Sequence, residues 1–232
     1  MNHSTALLTS DLPKRGTVIT TLFLDIDGVL LNDGWDHQAR NRAATHFQLN
    51  FIEMEKQHQL SFSAYENGMI TLQDYLDHVV FYENRPFTQS EFQEFMFEQS
   101  QSYPEMIELI RQLKEQYGLK IVAICNEARE LNLHRIRKFG LVSLVDEFVS
   151  FRFINLPEPD ALLFRLAFHI DEKFNRHGAY IENTPLLLQK TEDFGLRSMF
   201  HSDYQSTCSK LAELGLEDKL GLRQSTHLVE AN

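Results

Sequence analysis

Three segments of the chain repeat one grammar, and that repetition restricts the fold more than any other feature. They are "IELIRQLKEQYGLKIVAICN", "LHRIRKFGLVSLVDEFVSF" and "LLLQKTEDFGLRSMFH". Each carries a helical apolar rhythm, then an aromatic residue, Gly and Leu, then a β-rich run. Gly118, Gly140 and Gly195 suit the left-handed residue that ends a helix, with the following Leu closing the cap. Helices alternating with short apolar strands argue for a parallel sheet covered on both faces, the α/β class. The expected strands are Thr17–Leu24, Lys120–Ile124, Glu147–Phe151, Gly178–Ile181 and Arg197–Phe200.

Between Gly34 and Tyr103 the grammar changes and no strong strand appears. "TLQDYLDHVVFY" and "TQSEFQEFMFEQS" read as amphipathic helices, with Thr71/Asp74 and Thr88/Glu91 as start signals. Further helix is expected within His37–His58. This all-helical insertion is rich in Phe and Tyr, whose rings read as its own core. Trp35 reads as a packing residue, with lining of substrate access as the alternative. The expected organisation is a loose arm over 1–15, an α/β core over 16–34 and 104–222, the insertion over 35–103 and a tail over 223–232.

Composition narrows the functions. With 232 residues, 43% hydrophobic, the chain suits one domain with an insertion or two small domains. Its 33 acidic against 22 basic residues give a net charge of -11, which argues against nucleic acid or anionic lipid as partner. No run of about eighteen apolar residues exists, so no membrane span is expected. The N-terminus lacks a charged start followed by an apolar run, so no signal peptide is read. Cys125 and Cys208 form neither a disulfide framework nor a metal-type spacing, which fits a cytoplasmic setting. The ten histidines form no His-x-x-x-His pair and read as surface or core residues. Dinucleotide loops, Walker loops and serine nucleophile elbows are absent.

The chemistry concentrates in "TTLFLDIDGVLLNDG", residues 20–34. An apolar strand runs into Asp25, followed by Asp27 and Gly28. Parallel α/β sheets bind ligands at the carboxyl ends of their strands. Strand alternation points both carboxylates to one side, which suits a divalent cation held by hard oxygen ligands. A plain Asp-Gly hairpin turn is a poorer reading, since "VLL" lacks the alternation of a partner strand. An EF-hand loop fails because Val29 occupies a required oxygen position.

"FLDIDGVLL" resembles the first motif of the haloacid dehalogenase-like (HAD) superfamily, and the resemblance runs from about Thr17 to about Leu216. The helical insertion resembles that superfamily's C1-type cap. "YPEMIELIRQLKEQYGLKIVAICN" is similar to the approach to its second motif and "LPEPDALLFRLAF" to its third. "AYIENTPLLLQKTEDFGLRSMFH" is similar to its fourth, in which an acid pair ends a strand. The resemblance implies a HAD-like Rossmannoid sheet and a Mg²⁺-dependent hydrolase of small phosphate monoesters. Asp25 is then the nucleophile that forms an aspartyl-phosphate, and Asp27 the general acid/base. Gly28, Cys125 and Asn126 bind the phosphate, while Asp25, Asp27 through its carbonyl, Glu182 and Asn183 hold Mg²⁺.

Three motifs depart from the family pattern. Cys125 stands where Ser or Thr is usual, and a thiol is a weak donor. Leu156 stands where a Lys is usual, a loss on the order of 10²–10³ in rate by analogy with oxyanion-hole deletions. Arg152 and Lys190 are the candidate replacements. Asn183 replaces the second acid of the pair, removing one negative charge from the metal set. These departures leave two further readings: a catalytically impaired protein that acts by ligand or partner binding, and a dehalogenase.

Overall fold

A strand buried on both faces reads as an unbroken apolar run, and β1 (Thr21–Asp25) is such a strand, with all five residues buried. The computed structural model describes residues 18–125, 127–150, 177–192 and 197–218. Around β1 lie β2 (Lys120–Cys125), β3 (Glu147–Ser150), β4 (Gly178–Glu182) and β5 (Arg197–Phe200). All pairings are parallel, in the order β3-β2-β1-β4-β5. The five expected strands therefore all form. β1 begins at Thr21 rather than Thr17, although Thr20 already bonds to His177 and Lys120 on either side. Asp25, Cys125 and Glu182 are the last residues of β1, β2 and β4.

Helices cover the sheet. In α5 (Pro104–Tyr117), Pro104 supplies the first turn and Met106, Ile107, Leu109, Ile110 and Leu113 form the buried stripe. Gly118 ends the helix at φ 64°, and the Leu119 N–H closes back on the Lys114 carbonyl at 3.2 Å. α6 (Arg129–Lys138) ends the same way at Gly140, followed by a 3-10 turn (Leu141–Ser143). Gly195 and residues 151–176 lie outside the described residues.

The insertion supplies α1 (His37–His46), α2 (Phe51–Glu66), α3 (Leu72–Val79) and α4 (Gln89–Glu98). The helix expected within His37–His58 is two helices: Gln48 turns to φ 55° and Asn50 accepts the Glu53 N–H to start α2, which continues to Glu66. Both expected capping boxes form, Thr71 with Asp74 and Thr88 with Glu91. The rings build a separate core: Trp35 meets Phe92 edge-on at 5.9 Å, and Tyr65 stacks on Tyr75 at 4.8 Å. Trp35 is a packing residue, its Nε1–H donating to the Tyr75 hydroxyl at 2.9 Å.

Buried polar groups pin this core. The Tyr75 hydroxyl also meets His58 Nδ1 at 2.8 Å, and Arg40 donates to Glu55 and to the Trp35 carbonyl. Burial first, then the Arg40 charge, push the His58 imidazole down to about 4, against the pull of Glu55. The unfolded chain binds a proton at His58 near pH 6.5 while the fold refuses it until about pH 4. Stability from this group is therefore full above pH 6.5 and declines as the pH falls to about 4. In His58→Gln, the melting temperature should lose less between pH 7 and pH 4 than in the parent. An unchanged pH slope would sink this account.

Two linkers join insertion and sheet side by side. Leu31 forms an antiparallel bridge with Ser102. The Asn32 N–H donates to the Gln101 carbonyl at 3.0 Å. The Asn32 side chain donates to the Gln99 carbonyl and accepts from the Gln101 N–H at 2.8 Å. Ala128 and Leu131 of α6 pack into the insertion's apolar core, so α6 touches both units.

Candidate active site

β4 pairs with β1 on the side opposite β2, so sequential order reverses between β1 and β4. Parallel sheets open a ligand crevice at such a reversal, beyond the strand ends. Leu24 lies opposite Ile181, so the next residues, Asp25 and Glu182, leave their strands side by side at this crevice. Asp25 is 4% exposed and Glu182 fully buried. Burial, then Glu182, then Asp27 hold the Asp25 carboxyl well above the usual carboxylate range. Burial likewise raises Glu182, despite bonds from the Tyr180 hydroxyl and from the Thr184 N–H at 2.8 Å. Asp25 Oδ1 is buried with no hydrogen-bond partner among the described residues.

After β1 the chain makes a tight loop. The Leu30 and Leu31 N–H groups return to the Ile26 carbonyl at 3.0 and 2.9 Å, and the Gly28 N–H reaches the Leu31 carbonyl at 2.7 Å. Gly28 sits at φ 72°, and a Cβ there would lie 1.7 Å from Asn183 Nδ2. Gly28 thus lets the loop after β1 and the residue after β4 close on each other. A cleft of about 630 Å³ opens beside them, its walls including Asp33, Tyr103, Phe200 and Asp203.

The structure brings Asp25, Asp27, Gly28, Cys125, Glu182 and Asn183 to one end of the sheet; Asn126 lies outside the described residues. Cys125 is buried and hydrogen-bonded to Asn132, and burial pushes its thiol up to about 12. Arg152, Leu156 and the side chain of Lys190 also lie outside the described residues.

Sequence reasoning missed Arg135. This α6 residue is fully buried and its Nη1 lies 2.5 Å from Asp27 Oδ1, while Nη2 donates to the Asn32 carbonyl. Burial opposes its charge, but Asp27, Glu127 and Asp33 overcome that and raise its pKa. A signal was present: Arg135 follows Leu131 by four residues and precedes Ile136, so it lies on the buried stripe of α6.

Among the described residues, no three His, Cys, Asp or Glu side chains gather as a metal cage. Mg²⁺ does not need one: it keeps several waters and takes one or two carboxylates plus substrate phosphate. The buried, unsatisfied Asp25 Oδ1 beside Glu182 fits that requirement.

A family model for haloacid dehalogenase-like hydrolase matches residues 19–169. No curated protein gives a significant match in sequence. Among solved structures, the HAD family enzyme bt-2542 from Bacteroides thetaiotaomicron matches at 18% identity and TM-score 0.64, covering 79% of this chain and 93% of that one. The same enzyme solved with magnesium and inorganic phosphate matches at 16% identity and TM-score 0.63, covering 78% and 93%. A HAD phosphatase from Thermococcus onnurineus matches at 13% identity and TM-score 0.57, covering 86% and 100%.

Proposed function

Because the chain belongs to the haloacid dehalogenase-like hydrolases, we propose that it is a Mg²⁺-dependent hydrolase of a small phosphate monoester, working through an aspartyl-phosphate. The carrying observation is the buried Asp25 carboxylate beside Glu182, with one oxygen unsatisfied at the sheet's reversal point. Asp25 attacks phosphorus. Asp27 protonates the departing alkoxide and then takes a proton from the water that releases phosphate. Gly28, Cys125 and Asn126 receive the phosphate. The N-cap of α6, Ala128, makes no side-chain cap, which leaves backbone N–H groups of its first turn to an anion. Asp25, the Asp27 carbonyl, Glu182 and Asn183 would hold Mg²⁺, which supplies charge neutralisation between nucleophile and phosphate. Two free thiols agree with a cytoplasmic setting, and no described helix is long and apolar enough to cross a membrane.

The test is phosphate release from a panel of small phosphomonoesters, in Mg²⁺ and in EDTA. Release that requires Mg²⁺ and Asp25 is expected. Release indifferent to both would overturn the reading. Asn183→Asp adds a charge to the donor set and should tighten Mg²⁺ binding on the order of tenfold, read by titration calorimetry. Unchanged affinity would remove Asn183 from the set. Leu156 and Asn183, at positions where the family usually has a lysine and an acid, favour a second reading, a HAD-like protein that binds a ligand or partner without turnover. It would appear as no release in the parent and restored release in Leu156→Lys with Asn183→Asp.

A further inference from the structure

A guanidinium with no exposed surface is costly unless its partners are built for it. Arg135 has partners on two different structures: the Asp27 carboxylate at 2.5 Å and the Asn32 carbonyl on the first linker to the insertion. Gly34, also on that linker, would bring a Cβ within 3.6 Å of Arg135 Nε. One turn further along α6, Lys138 Nζ approaches the Ser100 carbonyl on the second linker at 3.4 Å. Asn32 in turn bonds across to Gln99 and Gln101. A continuous chain of contacts therefore runs from Asp27 through Arg135 to the clamp between the two linkers.

We propose that Arg135 is a positioning residue that fixes the Asp27 carboxylate and ties it to the linker clamp, so that the seating of the helical insertion and the aim of Asp27 depend on each other. Arg135 brings from α6 a positive charge that Leu156 cannot supply. It faces the acid/base residue and not the open cleft, so it orients without gripping substrate. A lysine keeps the charge but loses the two-pronged reach, since its single ammonium cannot address Asp27 and Asn32 with separate nitrogens in a fixed plane. Arg135→Lys is therefore an intermediate variant and Arg135→Met a full loss.

The experiment has two arms, and only the kinetic one rests on the phosphatase reading. Hydrolysis of p-nitrophenyl phosphate in Mg²⁺ should fall on the order of 10²-fold in kcat for Arg135→Met, with KM within about threefold. Arg135→Lys should recover about tenfold of that loss. A raised KM with kcat intact would overturn the proposal, as would equal losses for Lys and Met. The second arm reads amide exchange at Asn32 and Gln101, whose N–H groups make the clamp. Asp27→Asn, which alters no linker residue, should speed exchange at both amides about tenfold, as should Arg135→Lys. Protected amides in Asp27→Asn would overturn the proposal whether or not the protein turns over. A parent without phosphate release, but with a clamp loosened by Asp27→Asn, would reject the phosphatase reading and keep the tie.

Discussion

Asp25→Asn should abolish Mg²⁺-dependent phosphate release, by about 10⁴-fold or more, and at the same time stabilise the protein in EDTA. The two effects share one cause. The parent holds a carboxylate 4% exposed, with Oδ1 unsatisfied and Glu182 and Asp27 both opposing its charge. The amide removes that charge and offers Glu182 a donor. Relief of about 2 kcal/mol is reasonable for such a group, or roughly 4–8 °C in melting temperature for a chain of this size. The sign follows from the raised Asp25 carboxyl. A carboxyl easier to protonate folded than unfolded favours the fold at acid pH and loses that advantage as pH rises through its folded value. The variant's lead should therefore be largest at neutral pH and shrink towards pH 4. On the proposed function, added Mg²⁺ should narrow it further, because an ion held at Asp25 would stabilise the parent. A variant less stable than the parent in EDTA at pH 7.5 would contradict this account.

Gly28→Ala should cost both fold and activity, while Gly118→Ala costs only the strain of its backbone and no activity. Both glycines have positive φ, 72° and 64°. The left-handed conformation costs a Cβ-bearing residue about 1–2 kcal/mol at either position. Only at Gly28 does the Cβ also meet an obstacle, Asn183 Nδ2 at 1.7 Å and Cγ at 2.5 Å; around Gly118 nothing lies within 4 Å. Asn183 must move or the loop carrying Asp27 must lift. Displacement of about 1 Å beside the chemistry is worth on the order of 10²-fold in rate. Phosphate release and thermal unfolding of the two variants decide this, and equal effects at both glycines would refute the argument.

The sheet was legible because its central strands β1, β2 and β4 are buried on both faces, and Leu22, Phe23 and Leu24 or Val122, Ala123 and Ile124 can be little else. Helix ends were legible where a local device sets them, as at Gly118 or the Thr71 capping box. The break between α1 and α2 was not, because Gln48 carries no preference for positive φ that pattern reading could use. Within the site, Asp25 and Asp27 announce themselves through an apolar strand ending in acids. Arg135 carries only the fainter signal of its place on the buried stripe: in "HRIRKFG" it sits among basic residues of a last helical turn, where such residues ordinarily complement the helix dipole. Its burial depends on the linker that packs over α6, a contact spanning 103 positions in the chain. The Tyr180 hydroxyl on Glu182 is hidden for another reason, since a strand tyrosine reads as packing until its partner is known.

Leu31 and Ser102 meet across the sheet's rim, so the polypeptide returns to the place where it departed. To the sheet, everything between them is a loop whose ends already touch. The entropy of closing such a loop rises only logarithmically, about 0.6 kcal/mol for each doubling of its length. The α/β layer is thus nearly indifferent to the size of what hangs from that doorway. A module of other length could be grafted there while Asp25 and Glu182 stayed in register, provided it kept the linker contacts at Asn32 and Gln101 on which Arg135 and Asp27 lean.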